Sequence, residues 1–545
     1  MSDNNNIECK FVLYGGKHIG SDVHFIKERH KDGDRIYSVF KVLKDYQRPF
    51  WITKKHYRAH KQKKESEDIT KLDEKKSTQL ELLQSIIKEL ELPKFSNPIK
   101  TVAECPYVYG TDIDARVMIK HDYKSDLRTP YIVATLDLEV DVDTDIVTMG
   151  TVTVELDDKL HTYTVVKSSY FKLNTKEEVL EHLKNIPETT LPVTSEVEIV
   201  DTELDIIKSL LSKLHAWQPD ITAVWNMSYD IGKILKVFEK NNLNPADYFS
   251  DPNIPKEYRY FEFKESSSNV TTESGVRKLV KPEERWHVIY TPSSWVWLDA
   301  MSCHRYIRVG GKNVPGGYNL DNILNKELGN DFKKLKFPGI GEGLKGADWH
   351  RYMLHKHPVL YTIYNIWDAL SMQELDRKTN DLRWSIGILA GNSGFDIFNS
   401  GPKKIADVLH YFYLSKGYVL GTKQPHDAEQ TDNLGLDQWI AILDAFKLKK
   451  QSLPVISEGN IENSIRGNTF DLDAVSSYPS NTLVANVSRD TTHSELVSIE
   501  GKIKDDFIIH NINLMFGSVN SVGYCKYMLN LPSYEDIDDL VPPKQ

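Results

Sequence analysis

The sequence predicts a mixed α/β fold, of the α+β kind, and three observations predict it. Short β-branched runs, "PYIVATLDLEV", "IVTMGTVTVEL" and "LHTYTVVK", follow one another closely, as successive strands do. A run with apolar residues at helical spacing comes next, "TELDIIKSLLSKLHAW", with Leu204, Ile207, Leu211 and Leu214 on one face. Beyond it, strand-like and helix-like runs alternate. At 545 residues the chain exceeds one core, and its texture divides it at about 1–128, 129–384 and 385–545.

Residues 1–128 are expected to be β-rich. Strand-like runs such as "ECKFVLYGG" and "RIYSVFKVL" alternate there with charged segments and one helix-like run, "STQLELLQSIIKELEL". In "YQRPFWITKKHYRAHKQKK", basic residues interleave with aromatics. That composition suits a nucleic-acid face, where rings stack on bases and cations meet phosphates. It equally suits a solvated basic edge over a small core.

After the helical run, Pro219 leads into a short strand, "ITAVWN", and a helix, "IGKILKVFEKNN". The polar "FKESSSNVTTESGVRKLVKPEER" reads as an exposed hairpin or loop, and "WVWLDAM" as a strand. The glycine-rich "VGGKNVPGG" lacks the GK[ST] ending of a phosphate loop and is expected to be a loop before a helix starting near Asn319. A long helix covers "PVLYTIYNIWDALSMQELDRKT".

Bulk properties narrow the class. Hydrophobic content of 40% and charged content of 27% are those of an ordinary soluble globular protein. The polar opening "MSDNNNIECK" is unlike a signal peptide, and no apolar run approaches the roughly 18 residues that span a bilayer. Cys9, Cys105, Cys303 and Cys525 show no paired spacing, which argues against a zinc site or disulfide framework and for a reducing cytoplasm. The net charge of −10 leaves nucleic acid open, because phosphate contacts depend on local patches and carboxylates at metal sites add to the total.

Three short elements carry chemistry. In "ATLDLEV", Asp137 and Glu139 point to the same face of a strand whose neighbours are all apolar. Two like charges side by side in a buried strand repel, and a divalent cation such as Mg²⁺ or Mn²⁺ removes the conflict. A wet face on an edge strand is the alternative. In "AVWNMSYDIGKIL", Asp230 falls in the first turn of a helix, as a metal ligand or as a dipole-favoured cap. In "YTIYNIWDALS", Tyr364 and Asp368 are one turn apart on one helical face. The phenol would then hydrogen-bond a metal-held water, or simply the aspartate.

D-x-E on a strand, N-x-x-Y-D at a strand-to-helix junction and Y-x-x-x-D on a helix, in that order, resemble the motif set of 3′→5′ exonucleases of the ribonuclease-H-like fold. The chain is similar to the proofreading domain of family B DNA polymerases. The resemblance implies that Asp137, Glu139, Asp230 and Asp368 hold two metal ions for phosphodiester hydrolysis and that Tyr364 orients the attacking water. Asn226 lies four residues before Asp230, a shorter spacing than many cellular and phage relatives have and one that protein-primed members share.

The resemblance extends to "DAVSSYPS", which is similar to the first palm motif of these polymerases, D-x-x-S-L-Y-P-S. The S-x-Y-P-S anchor selects Asp473 over Asp471 as the metal ligand. By the same resemblance, a dNTP lies over the backbone of Ser476 and Ser477, and Tyr478 stacks under its sugar; Ser477 stands where leucine is usual. Neither a fingers motif, K-x-x-x-N-S-x-Y-G, nor a second palm motif, Y-G-D-T-D-S, occurs. "VYGTDID", with Asp112 and Asp114, precedes the exonuclease strand and has the wrong spacing for the latter.

The resemblance, closest to T-even-type phage replicative polymerases, implies a ribonuclease-H-like exonuclease domain flanked by an amino-terminal β-rich domain and an incomplete polymerase palm. The expected partners are a DNA primer-template and its single-stranded 3′ end, dNTP, and a second polypeptide carrying fingers, remaining palm and thumb. No membrane is expected. An autonomous 3′→5′ exonuclease, a non-catalytic scaffold subunit and a chain cut from a longer polymerase are the rival expectations.

Overall fold

A computed structural model describes residues 6–61, 63–64, 66–91, 102, 105–123, 125–171, 175–271, 277–309, 314–329, 332–421, 447–448 and 540–541. Asp473, Ser476, Ser477 and Tyr478 therefore lie outside the described residues. Contacts divide the chain into one unit of residues 1–422 and a second of 423–545. Of the second, the pairing of Lys447–Leu448 with Leu540–Val541 is described.

The β-branched runs build a six-stranded mixed sheet in the first unit. Its spatial order is Val193–Val200, Lys159–Lys167, Val147–Leu156, Val133–Val140, Ile221–Val224 and Val296–Asp299. The first three of these strands in the sequence run antiparallel to one another, and Ile221–Val224 and Val296–Asp299 then add in parallel. The two added strands are four residues each and almost wholly buried, as parallel strands covered on both faces are. The carboxylate strand Val133–Val140 thus sits inside the sheet between two partners, which removes the edge-strand alternative. Between the third strand and the helix Glu203–Trp217, two elements escape the sequence reading: the helix Thr175–His182 and the edge strand Val193–Val200. The latter carries Glu196 and Glu198 on an exposed margin, so its apolar signal is weak.

The even-numbered side chains of the carboxylate strand, Ala134, Leu136, Leu138 and Val140, enter one core. That core is closed by the helix Glu203–Trp217 through Ile206, Ile207, Leu210, Leu211 and Leu214. Thr202 caps this helix by accepting the Asp205 amide at 3.1 Å.

The odd-numbered positions face the long helix Pro358–Thr379. Gln373 Nε2 donates to the Val133 carbonyl (2.9 Å) and Thr135 Oγ1 to the Ala369 carbonyl (2.8 Å). Asn365 Nδ2 reaches Asp137 Oδ2 (2.7 Å), and the Tyr361 hydroxyl reaches Glu139 Oε2. Each step of two strand residues matches a step of four helix residues. The two advances are nearly equal, about 6.6 Å and about 6 Å, so the elements stay in register over four contacts.

The amino-terminal region contains an antiparallel sheet of Ile7–Tyr14, Val23–Asp32 and Arg35–Lys44, and a second of Leu72–Ser77, Arg48–Thr53 and Val108–Tyr109. Strand Tyr418–Leu420 returns to pair with Ser66–Asp68. In the basic run, Phe50 and Trp51 are core residues rather than exposed stacking rings, while Tyr57 stands out at the surface. Asp114 of "VYGTDID" accepts the Arg116 amide at 2.8 Å as a helix cap, and Tyr109 is buried. The polar insertion forms the hairpin Asn269–Thr271 with Arg277–Leu279, and Asn319 caps helix Leu320–Glu327. No helix among the described residues is long and apolar enough to cross a membrane.

Candidate active site

Carboxylate oxygens of Asp137, Glu139 and Asp368 lie within 4.8 Å of one another, a group able to hold a metal ion. The strand supplies two of them on one face, and the long helix supplies the third from its buried middle. Asp230, in the first turn of helix Met227–Lys240, is buried beside them. Burial raises the Asp230 carboxyl well above the usual carboxylate range, with Glu139 and Asp299 adding their charge. Burial also raises Asp137, which feels Asp368, Glu139 and Asp230. Asp368 is raised by burial too, against the pull of Lys334. The sequence-predicted exonuclease residues are thus brought together, Tyr364 among them.

Three of the four carboxylates are each held by a neighbouring side chain. Asn365 fixes Asp137 Oδ2 and is itself oriented by Thr151, whose Oγ1 donates to Asn365 Oδ1 at 2.6 Å. The Tyr361 hydroxyl holds Glu139 and meets His350 Nδ1 at 2.7 Å. Lys334 Nζ donates to Asp368 Oδ2 at 2.6 Å and to the Tyr364 hydroxyl oxygen at 2.8 Å. Burial alone would lower the Lys334 pKa, but Asp368 and Asp137 hold it above the ordinary value. The Tyr364 phenol is raised well above 10 by burial and by Asp368, so it stays protonated. Its oxygen accepts from Lys334, and its hydroxyl bonds the Asp368 carboxylate one turn away, which is the direct tyrosine–aspartate contact raised as the alternative.

Asp299 closes the sixth strand and takes the capping role that was the alternative for Asp230. Its Oδ2 accepts the Met227 amide at 2.9 Å and its Oδ1 the Ser302 amide at 2.8 Å. Burial pushes its carboxyl up to about 7. Asn226 makes no side-chain cap bond.

The donor set fits a hard divalent cation. All four carboxylates offer oxygen, and Asp368 Oδ1 is buried with no hydrogen-bond partner. A second acidic group, Asp141, Asp143 and His355, is already engaged: Asp141 accepts from the Asp143 amide and the Tyr170 hydroxyl, and Arg351 grips Asp143 through two 2.7 Å bonds.

Lys334, Tyr361, Asn365, His350 and Asp299 escape the sequence reading. Tyr361 and Asn365 lie on the same helix as Tyr364, and their four-residue spacing is the one signal that could have found them. Lys334 comes from an irregular stretch with no pattern; the Lys334 amide is anchored to Asp321 and the Lys333 carbonyl to Trp367 Nε1. No family model matches the chain, and no curated protein matches it.

Proposed function

We propose that the chain is a 3′→5′ DNA exonuclease of the ribonuclease-H-like class, acting on single-stranded 3′ ends, within a family B DNA polymerase. The observation that carries this reading is the meeting of Asp137, Glu139 and Asp368 within 4.8 Å, with Asp230 beside them. The strand order adds support: an antiparallel run of three strands, a fourth strand parallel to the third on the far edge, and two more added parallel to the first, with carboxylates on the first strand, after the fifth and on a covering helix.

Asp137, Glu139, Asp230 and Asp368 would hold two Mg²⁺ or Mn²⁺ ions. Bound there, the ions would supply Lewis acidity at the phosphodiester, both for an attacking water and for the departing 3′ oxygen. The chain's own groups orient the reactants. Tyr361 and Asn365 fix one oxygen each of Glu139 and Asp137, leaving the others to face the substrate side. Tyr364, protonated, supported by Lys334 and bonded to Asp368, would turn its hydroxyl from that carboxylate to a water held at the cluster and so orient it. Lys334 also offsets one of four clustered negative charges.

The polymerase part of the reading rests on Asp473, with Ser476, Ser477 and Tyr478 as the dNTP platform, outside the described residues. Phosphoryl transfer needs a second palm carboxylate, which this sequence does not contain, so the site requires residues from beyond it, for instance a second polypeptide.

The test is 3′ shortening of a 5′-labelled single-stranded oligonucleotide by the purified chain in Mg²⁺. The expected ladder disappears in EDTA and in the Asp137→Ala/Glu139→Ala variant. Undiminished shortening by that variant overturns the reading. No dNTP incorporation is expected from the chain alone.

A further inference from the structure

Residues 54–64 carry six lysines and arginines and no carboxylate, in a chain whose net charge is −10. The start of this segment is built onto the fold. The Lys54 amide bonds the Lys71 carbonyl, and residues Lys55–Tyr57 form a tight 3₁₀ turn. Arg58 Nε bonds the Thr53 carbonyl at 2.8 Å, and its guanidinium lies 5.4 Å from the Tyr107 ring. The Tyr107 hydroxyl in turn holds the His60 carbonyl at 3.0 Å.

Two kinds of group remain at the surface. Tyr57 is 41% exposed, with the exposed His56 ring 4.1 Å away. Lys55 and Lys61 are exposed and Arg58 half-buried, and among the described residues none of the three has a carboxylate partner. The neighbouring Lys64 and Lys71, by contrast, share Glu67, and Lys75 pairs with Glu89.

We propose that this segment is a contact for single-stranded DNA, separate from the nuclease carboxylates. The Tyr57–His56 rings give a face on which an unpaired base stacks, and Lys55, Arg58 and Lys61 meet the backbone phosphates around it. A duplex keeps its bases inside and cannot use the rings. An acidic peptide would meet the cations but leave the rings idle. The nuclease reading is not required for this contact, since it needs no metal.

The test uses the full chain in EDTA, which separates it from catalysis. Binding of oligo(dT) of about 12 nucleotides is followed by fluorescence anisotropy across a salt series. Lys55→Glu/Lys61→Glu is expected to lower affinity tenfold or more and to reduce the salt slope by about 1.4, two phosphates' worth. Tyr57→Ala is expected to lower affinity roughly five- to a hundredfold with the slope unchanged. Photo-crosslinking to 5-iododeoxyuridine oligonucleotides should map to the peptide holding Tyr57. All three positions are exposed, so melting temperature reports any misfolding. The proposal is overturned if either variant binds like wild type, if Lys75→Glu/Lys76→Glu weakens binding equally, or if polyglutamate competes as well as DNA.

Discussion

Lys334 and Asp368, 34 residues apart in the chain, form a 2.6 Å ion pair in the middle of the carboxylate cluster. The same ammonium supports Tyr364. Lys334 is thus a built-in cation that a divalent ion must share Asp368 with. Lys334→Met keeps most of the stem and removes the charge. Tighter Mn²⁺ binding is expected by calorimetry, because one competing positive charge is gone. Cleavage should nonetheless slow by roughly tenfold to a thousandfold, since Tyr364 loses the donor that orients it. Faster cleavage alongside tighter binding would contradict this role for Tyr364.

Tyr361 holds Glu139 without touching any other carboxylate of the group. Tyr361→Phe retains the ring stacked at 5.9 Å on Tyr364 and deletes only the hydroxyl that joins Glu139 to His350. Metal affinity should fall about 10- to 100-fold, as for groups that orient ligands. Melting temperature in EDTA should barely change. A Mn²⁺ titration followed by electron paramagnetic resonance measures the loss.

Clustered carboxylates give stability a definite pH dependence. A carboxyl whose folded pKa lies above its unfolded value binds its proton more tightly in the folded chain. Its contribution therefore favours folding at acid pH and is lost as pH rises from the ordinary carboxylate range through the raised value. Asp137, Asp230 and Asp368 are all raised, and Asp299 is raised to about 7. In EDTA, Asp137→Asn should gain melting temperature over wild type progressively as pH rises above the ordinary carboxylate range. Saturating Mg²⁺ should stabilise wild type more than the variant at pH 8. A pH-independent difference between the two would show that repulsion at the cluster is negligible.

Gly150 faces Leu138, the residue between the two strand carboxylates. A Cβ there would come within 2.5 Å of Leu138 Cδ2 and 2.7 Å of Leu210 Cδ1, both core side chains. Gly150→Ala should destabilise by about 1–3 kcal/mol, read by urea unfolding. It should also slow 3′ shortening modestly, because Leu138, which must repack, sits between Asp137 and Glu139. Gly232, where a Cβ meets nothing within 4 Å, is the control: Gly232→Ala should be neutral or slightly stabilising.

Local pattern made much of this protein legible in its sequence. Alternation put Asp137 and Glu139 on one face, helical spacing put Tyr364 with Asp368, and the strand-to-helix junction put Asp230 in a first turn. These relations follow from backbone periods of two and 3.6 residues, which act over a few positions and need no knowledge of the fold. The stretch read as a first palm motif, with Asp473, lies outside the described residues.

Tertiary structure decided what distance in sequence conceals. It placed the carboxylate strand inside the sheet, making its charges a buried cluster rather than a wet edge. It matched that strand to the long helix, which brought Asn365 to Asp137 and Tyr361 to Glu139. It carried Lys334 in from an irregular segment and gave the capping role to Asp299 instead of Asp230. Each of these depends on desolvation and on charges converging from distant segments, and neither term exists until the chain has packed.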